Sequence, residues 1–438
     1  MADPDAQAPD ARGPRRRRSA EGSGVTGALD GVRVIDLSRV LAGPYCTQML
    51  ADHGAEVVKV EPVAGDLTRT WGPAHPDGVS SYYAGLNRNK QHLSADLSAP
   101  DGRALVLRLL EDADVLVENF KPGVMDRWGL DAASLLERFP RLVYCRITAF
   151  GTDGPMAGLP GYDAVIQAHA GIMHLNGEPD GGPMRVPMPI TDLTAGLLAV
   201  SGVLLALHER TASGRGQLVE LTLADGAVSL LHPVAANYFM TGEPPRRLGS
   251  GHPNIAPCEV FDSPAGEVYV AAGSDRQFAL LADFLGEPGL ATDPRYRTNA
   301  DRLVNRHDLN ADLAALVSGL DPDADIAREM IAKGVPASIV RPVEHVLDDP
   351  YLTEHGMVTE AGGVRMLGVP VRLARTPGAV RTPPRAQGAD TRAVLAAAGV
   401  TADRIEDLIA RGVVVTTDAP TPFQPDSGQS HEHRSEEN

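Results

Sequence analysis

Between Val32 and Glu61 the chain reads strand, helix, strand, and this one unit narrows the folds open to the whole polypeptide. Val32-Arg33-Val34-Ile35-Asp36-Leu37 is a β-like run, Leu41-Ala42-Gly43-Pro44 a turn, Pro44 to Asp52 a helix-like stretch and Ala55 to Glu61 a second strand. A strand that returns to its sheet through a helix lies parallel to the first. The alternation continues. Helices over Gly102–Glu111 and Ala132–Glu137 precede strands over Val115–Glu118 and Leu142–Thr148, and Gln217–Leu223 is a further strand. This order predicts an α/β domain with a doubly wound sheet.

A chain of 438 residues exceeds one small core, so two domains are expected. Around Pro233–Pro257 the composition turns to Gly, Pro and Arg, as in Gly242-Glu243-Pro244-Pro245-Arg246-Arg247 and Gly249-Ser250-Gly251-His252-Pro253-Asn254, which suits a linker or loop. Strands at Glu259–Phe261 and Val268–Ala272, then helices from Asp275 to Leu320, mark a smaller α+β domain. The expected boundaries are a disordered tail over 1–26, a large domain over 27–230, a linker over 231–257, a small domain over 258–340, a return segment over 341–415 that packs on the large domain, and a disordered tail over 416–438. The return segment ends in a helix pair, Asp390–Gly399 and Ala402–Gly412.

Several function classes are disfavoured. The net charge of −17 argues against general nucleic-acid binding, although a local basic pocket remains compatible with it. The apolar run from Leu193 to His208 contains Ser201 and Gly202 and reads as a buried helix rather than a membrane span. The first 26 residues lack an apolar signal core, and Arg15–Arg18 reads as part of a solvated tail. Cys46, Cys145 and Cys258 are widely separated, which suits a reduced, cytoplasmic protein without structural disulfides. Cys46 reads as a packed thiol. No G-x-G-x-x-G follows the first strand, and neither a P-loop nor an H-E-x-x-H or Cys/His metal spacing occurs. No metal and no permanently bound cofactor are expected.

The stretch from Gly161 to Gly196 holds the strongest chemical signal. Asp192 stands just before a small, helix-friendly run, where unpaired N–H groups and the helix dipole favour a negative charge. On local sequence alone the stronger reading of Asp192 is a helix N-cap, and it is the rest of the chain that shifts the balance.

The motifs taken together resemble the class III, or CaiB/BaiF-type, CoA-transferases over about Leu29 to Val415. They stand as Leu29-Asp30-Gly31-Val32-Arg33-Val34-Ile35-Asp36, Leu41-Ala42-Gly43-Pro44, Gly54-Ala55-Glu56-Val57-Val58-Lys59-Val60-Glu61, Asn87-Arg88-Asn89-Lys90, Val117-Glu118-Asn119-Phe120-Lys121-Pro122-Gly123, Gly161-Tyr162-Asp163 and Thr191-Asp192-Leu193-Thr194-Ala195-Gly196. The resemblance implies a Rossmann-like large domain with a smaller α+β domain, in an interlocked, ring-like homodimer. It implies Asp192 as the catalytic nucleophile. A carboxylate can attack a thioester, form a mixed anhydride, and then carry CoA as an aspartyl thioester. It implies CoA contacts from Asn119, Phe120 and Arg127, with Arg88, Asn89 and Lys90 near the phosphates or pantetheine. Gly249 and Gly251 lie where the family has a closing loop, and their freedom would allow a hinge. The coenzyme A thioester is then a substrate.

Within the family, Trp71-Gly72-Pro73, Gly161-Tyr162-Asp163-Ala164-Val165, Gly171-Ile172-Met173-His174 and Ala235-Ala236-Asn237-Tyr238 are most similar to the succinate–hydroxymethylglutarate CoA-transferase branch. That implies succinyl-CoA as donor and a dicarboxylic acid as acceptor, with Tyr162 and Asp163 among the substrate residues. Arg185, seven residues before Asp192, is the candidate partner for the distal carboxylate, with Arg69, Arg88 and Arg247 as alternatives. Pro62 and Leu41 replace the arginine and glutamine of formyl-CoA transferase, which speaks against formate and oxalate chemistry. The α-methylacyl-CoA racemases share these motifs but carry a histidine at the place of Tyr162, ahead of the aspartate matching Asp163. A phenol is a poor base at neutral pH, so a racemase is the second reading. His169 and His174 read as structural histidines. An inactive CoA-binding protein is the third reading.

Overall fold

The computed structural model describes residues 27–73 and 79–417. The expected tails, including Arg15–Arg18, lie outside the described residues except for Thr416 and Thr417. The chain forms two compact units. The first comprises the residues up to Thr148, then Gly196–Glu220, then those from Gly356 onward; the second comprises Ala149–Ala195 and Leu221–His355. The expected block 27–230 is therefore divided, because the chain leaves the first unit after Thr148 and re-enters it at Gly196.

The large sheet contains β1 (Arg33–Asp36), β2 (Glu56–Glu61), β3 (Lys90–Ala95), β4 (Val115–Glu118), β5 (Val143–Thr148) and β6 (Leu218–Thr222). Its order is β3-β2-β1-β4-β5-β6, extended beyond β3 by a short strand at Val414–Val415. The β1–β2, β1–β4, β2–β3 and β4–β5 pairs are parallel, and the Val414–Val415 strand runs antiparallel to β3. The strand order reverses at β1, so the loops after β1 and β4 flank the switch point where sheets of this type bind ligands. Helix α1 (Ala42–Asp52) links β1 to β2, α2 (Pro100–Leu110) precedes β4 and α3 (Ala132–Arg138) precedes β5. One core cluster holds Ile35, Val58, Leu93 and Leu116 from the sheet together with Val394, Leu395, Ile405 and Leu408 from the last two helices. Cys46 and Cys145 are fully buried, and burial raises both thiols.

Strand β3 was not legible in the sequence. Its residues, Lys-Gln-His-Leu-Ser-Ala, look like an exposed segment, yet all but Gln91 are buried. Polar partners inside the unit account for this. Lys90 Nζ lies 3.1 Å from Asp36 and donates to Pro44 O and Asn87 Oδ1, each at 2.8 Å. His92 Nδ1 is 2.8 Å from the Tyr83 hydroxyl, which donates to Glu61 at 2.8 Å. Burial would raise the Asp36 carboxyl, but the Lys90 and Lys59 ammonium groups overcome it and hold the carboxyl low. Buried charges survive when paired and hydrogen-bonded in this way.

The second unit carries a three-stranded antiparallel sheet of β7 (Cys258–Ser263), β8 (Gly266–Ala271) and β9 (Ala337–Ile339). Its core joins Phe261, Val268 and Val270 to Phe278, Leu281, Leu309, Leu313 and Met330 from the helices between β8 and β9. Helix α4 (Asp163–His169) belongs to this unit, and α5 (Ile190–Ser213) starts in it and runs on into the first. Helix α6 (Val234–Thr241) falls in the span 231–257 expected as a linker, and none of its residues is buried. Among the described helices, α5 alone has the length and apolarity of a membrane span. Its buried residues Ala195, Ala199, Val203 and Ala206 recur at helical spacing, the mark of a stripe facing protein.

Candidate active site

Helix α5 begins at Ile190, immediately after Pro189, so Asp192 is its third residue rather than its N-cap. The alternative reading of Asp192 as a cap therefore fails on geometry. The N–H of Leu193 already donates to Pro189 O at 3.0 Å, so the helical bonding starts before the expected run. Asp192 is 9% exposed. Burial disfavours its charged form and the neighbouring Asp163 carboxylate repels it, so its pKa is pushed up to about 7.

Asp163 opens α4 and is also buried. Its Oδ2 accepts from both the backbone N–H and the hydroxyl of Thr191, each at 2.8 Å, and its Oδ1 accepts from Gln167 Nε2 at 2.6 Å. Gln167 is fully buried and reaches the segment before α5. Its Oε1 accepts from Val186 N–H at 2.9 Å, while Nε2 lies 3.2 Å from Val186 O and 3.4 Å from Met188 O. Asp163, expected at the substrate, thus spends its oxygens inside the protein. Tyr162, one residue earlier, is 59% exposed and is free of that clamp.

Arg185 is exposed and donates one hydrogen bond, to Pro187 O at 3.1 Å. The alternatives to it are engaged. Arg247 donates to the carbonyls of His174, Glu178 and Gly181 at 2.8–3.3 Å. Arg69 chelates Glu61 with two bonds of 2.7 Å and lies over the Tyr83 ring. His169 and His174 are exposed, and the His169 ring meets Phe150 edge to face with ring centres 5.0 Å apart. The expected closing loop is hydrogen-bonded to its own unit. Gly249 has a φ of 61°, which favours glycine, and donates to Gly177 O at 3.2 Å. A Cβ on Gly251 would come 2.9 Å from Leu248 O, so the tight turn there also requires glycine.

In the first unit, the expected CoA residues after β4 gather at the switch point. Phe120 is packed against Trp128 edge to face, with ring centres 5.2 Å apart, and the Arg39 guanidinium lies 4.8 Å above the Phe120 ring. Asn119 exchanges two 2.7 Å hydrogen bonds with the backbone N–H and carbonyl of Arg39. It therefore fixes the loop after β1. Arg127 is exposed in the short helix Val124–Trp128.

Arg88, Asn89 and Lys90, expected near the CoA phosphates or pantetheine, have partners within the first unit. Arg88 binds Asp52 at 2.7–3.3 Å and donates to the carbonyls of Leu367 and Gly368. The Asn89 side chain donates to Asp52 and Ala379 O and accepts from the N–H groups of Arg381 and Thr382. Lys90 points into the buried network beside Asp36. None of the three offers its polar head to a ligand, because the fold has already consumed it.

The family model for CoA-transferase family III matches residues 29–391. The chain belongs to that family. This class III CoA-transferase is 39% identical over 361 residues to succinate–glutarate CoA-transferase of Agrobacterium fabrum, covering 80% of this chain and 90% of the relative. It is 38% identical over 350 residues to acetyl-CoA:oxalate CoA-transferase of Acetobacter aceti, again covering 80% and 90%. The crystal structure of a CaiB/BaiF family protein from Brucella suis superposes with a TM-score of 0.77 at 39% identity, covering 85% of this chain and all of that one. In the CoA-transferase, sequence reasoning missed Arg39, Gln167 and Thr191. The place of Arg39 directly after the first strand was the one available signal. Thr191 stands in the motif around Asp192, but its contact with Asp163, like that of Gln167, is not announced by any local pattern.

Proposed function

We propose that this enzyme moves CoA from succinyl-CoA to a second dicarboxylic acid, with Asp192 as the covalent carrier. The observation that carries the reading is a buried carboxyl in the first turn of α5, raised to about 7. The names of the two relatives, with succinate, glutarate and oxalate as acids, support a dicarboxylate acceptor.

An Asp192 oxygen attacks the thioester carbonyl, the C–S bond breaks, and CoA leaves as thiolate from a mixed anhydride. The thiolate attacks Asp192 Cγ and expels succinate, leaving an aspartyl-CoA thioester. The acceptor carboxylate attacks that thioester, the thiolate leaves again, and it then attacks the acceptor's acyl carbon to restore Asp192. Each step exchanges one bond at an acyl carbon, and no proton, oxidant or reductant is consumed overall. Arg39 and Arg127 offer charge to CoA at the switch point, while Phe120, buried in the core cluster, supports the Arg39 guanidinium from beneath. Arg185 is the proposed cation for the distal carboxylate of the acid.

The reading includes a cytoplasmic homodimer. The three free cysteines support the compartment. Self-association is supported by α6, where Phe239 is 82% and Met240 88% exposed. A core role for α5, argued from its buried stripe, supports a protein that does not enter a membrane.

The test is incubation with succinyl-CoA or acetyl-CoA and a panel of acids, reading every CoA thioester by mass spectrometry. A new dicarboxylyl-CoA that vanishes in Asp192→Ala is expected. Undiminished transfer by Asp192→Ala would remove the carrier role.

A further inference from the structure

The Asp163 carboxylate ties the start of α4 to the first turn of α5. Its partner there, Thr191, is the residue immediately before Asp192. Both hydrogen-bond donors of Thr191 point to one oxygen of Asp163, at 2.8 Å each. The other Asp163 oxygen is held by Gln167 at 2.6 Å, and Gln167 in turn holds Val186 on the approach to α5. Asp163, Gln167 and Thr191 are all buried, so water does not compete strongly for these bonds.

The geometry points to Asp163 as a positioning residue that holds the carrier carboxylate and drives it toward its acylated state. This rests on the proposed carrier role of Asp192. The clamp on Thr191 fixes the backbone that presents Asp192. The second effect is electrostatic. Asp192 and Asp163 are two carboxylates in a buried setting, and like charges there repel. When Asp192 becomes an anhydride or a thioester its negative charge is gone, and the repulsion ends with it. The free carboxylate is thus raised in energy while the acylated forms are not, which favours loading of the carrier. Burial and the Asp163 carboxylate both disfavour the charged form of Asp192; the other titratable groups on α4 and on the approach to α5 are His169, at the last position of α4, and Arg185, exposed ahead of Val186. Both oxygens of Asp163 are engaged inside the protein, Oδ2 by Thr191 and Oδ1 by Gln167.

The experiment compares wild type, Asp163→Asn, Thr191→Val and Thr191→Ser in the full-length enzyme. Two readouts are used: the pH profile of kcat/KM, and the equilibrium fraction of aspartyl-CoA enzyme by intact-protein mass spectrometry at fixed succinyl-CoA and succinate. For Asp163→Asn the acid limb should move down while burial still holds it above the usual aspartate range, and the acylation equilibrium should fall in step, roughly tenfold for each unit that the limb moves. KM for the acid should stay within about threefold while kcat falls. Thr191→Val should lower kcat roughly tenfold, and Thr191→Ser, which keeps the hydroxyl, should restore it. An unmoved acid limb with an unchanged acylation equilibrium overturns the inference, as does a raised KM for the acid at full kcat, which would return Asp163 to the substrate. If Asp163→Asn does not fold, the Thr191 pair decides: equal activity of Val and Ser overturns the clamp. Activity in Asp192→Ala would instead sink the carrier reading itself, whereas an inactive Asp192→Ala beside a wild-type-like Asp163→Asn sinks only this inference.

Discussion

The guanidinium of Arg88 grips the Asp52 carboxylate, with Nε 3.0 Å from Oδ1 and Nη2 2.7 Å from Oδ2, and the same Arg88 donates to the carbonyls of Leu367 and Gly368. An arginine in a family motif thereby serves as a bolt between α1 and the strand at Val364–Leu367. Arg88→Ala leaves Asp52 buried without its cation, and breaking a buried pair costs about 3–5 kcal/mol. Urea unfolding should show that loss, while any folded variant keeps its KM for the CoA thioester. A raised KM at unchanged stability would restore Arg88 as a ligand.

The titration of Asp192 should appear in the rate. Attack requires the carboxylate, so kcat/KM should rise with pH through about 7, rather than through the usual aspartate range. A pH series with a good acyl-CoA donor checks this, and a flat profile between pH 5 and pH 8, on the order of the window that an ordinary aspartate leaves open, would contradict it.

The same group should weaken the fold where it is charged. Its folded pKa lies above its unfolded value, so the folded state holds the proton more tightly, and stability falls as pH rises from about 4 to about 7. Asp192→Asn removes that penalty. The variant should melt a few degrees above wild type at pH 8, by a margin that closes toward pH 4, while losing transfer. Melting curves at a set of pH values measure the difference.

Arg39 and Arg127 are exposed on the elements beside Phe120. Replacing either by alanine should raise KM for CoA thioesters roughly tenfold, the scale of one charge-assisted contact, and leave the melting temperature unchanged. Changing Asn119 to alanine should do both harm to binding and harm to stability, because its amide holds the Arg39 backbone.

Phe239→Ser combined with Met240→Ser takes away the most exposed apolar surface of α6. Light scattering should then show a smaller assembly than wild type, and an unchanged mass would place self-association elsewhere.

Much of the scaffold was legible because apolar strands announce themselves. Val34, Ile35, Val57, Val58, Val115 and Val117 are the buried runs that parallel strands require. Strand β3 escaped because Lys90 and His92 are buried through partners far along the chain, and no local pattern encodes Asp36 or Glu61 as their mates. The site was legible only as single residues. Asp192 could be picked out by its setting in a motif, but the clamp from Asp163 spans 28 positions and needs the fold to exist first. Arg88, Asn89 and Lys90 misled for the opposite reason, since polar residues in a turn look available until their partners are seen.

The helices Thr391–Ala397 and Ala402–Ala410 and the strand Val414–Val415 complete a core begun by Arg33–Asp36. During synthesis the first half of that core must wait, incomplete, until these late residues leave the ribosome. The core around the three-stranded sheet of the second unit faces no such delay, for it draws on the continuous stretch from Ala256 to Ile339. The middle of the polypeptide can therefore fold before its beginning does, leaving the early strands in need of protection in the meantime.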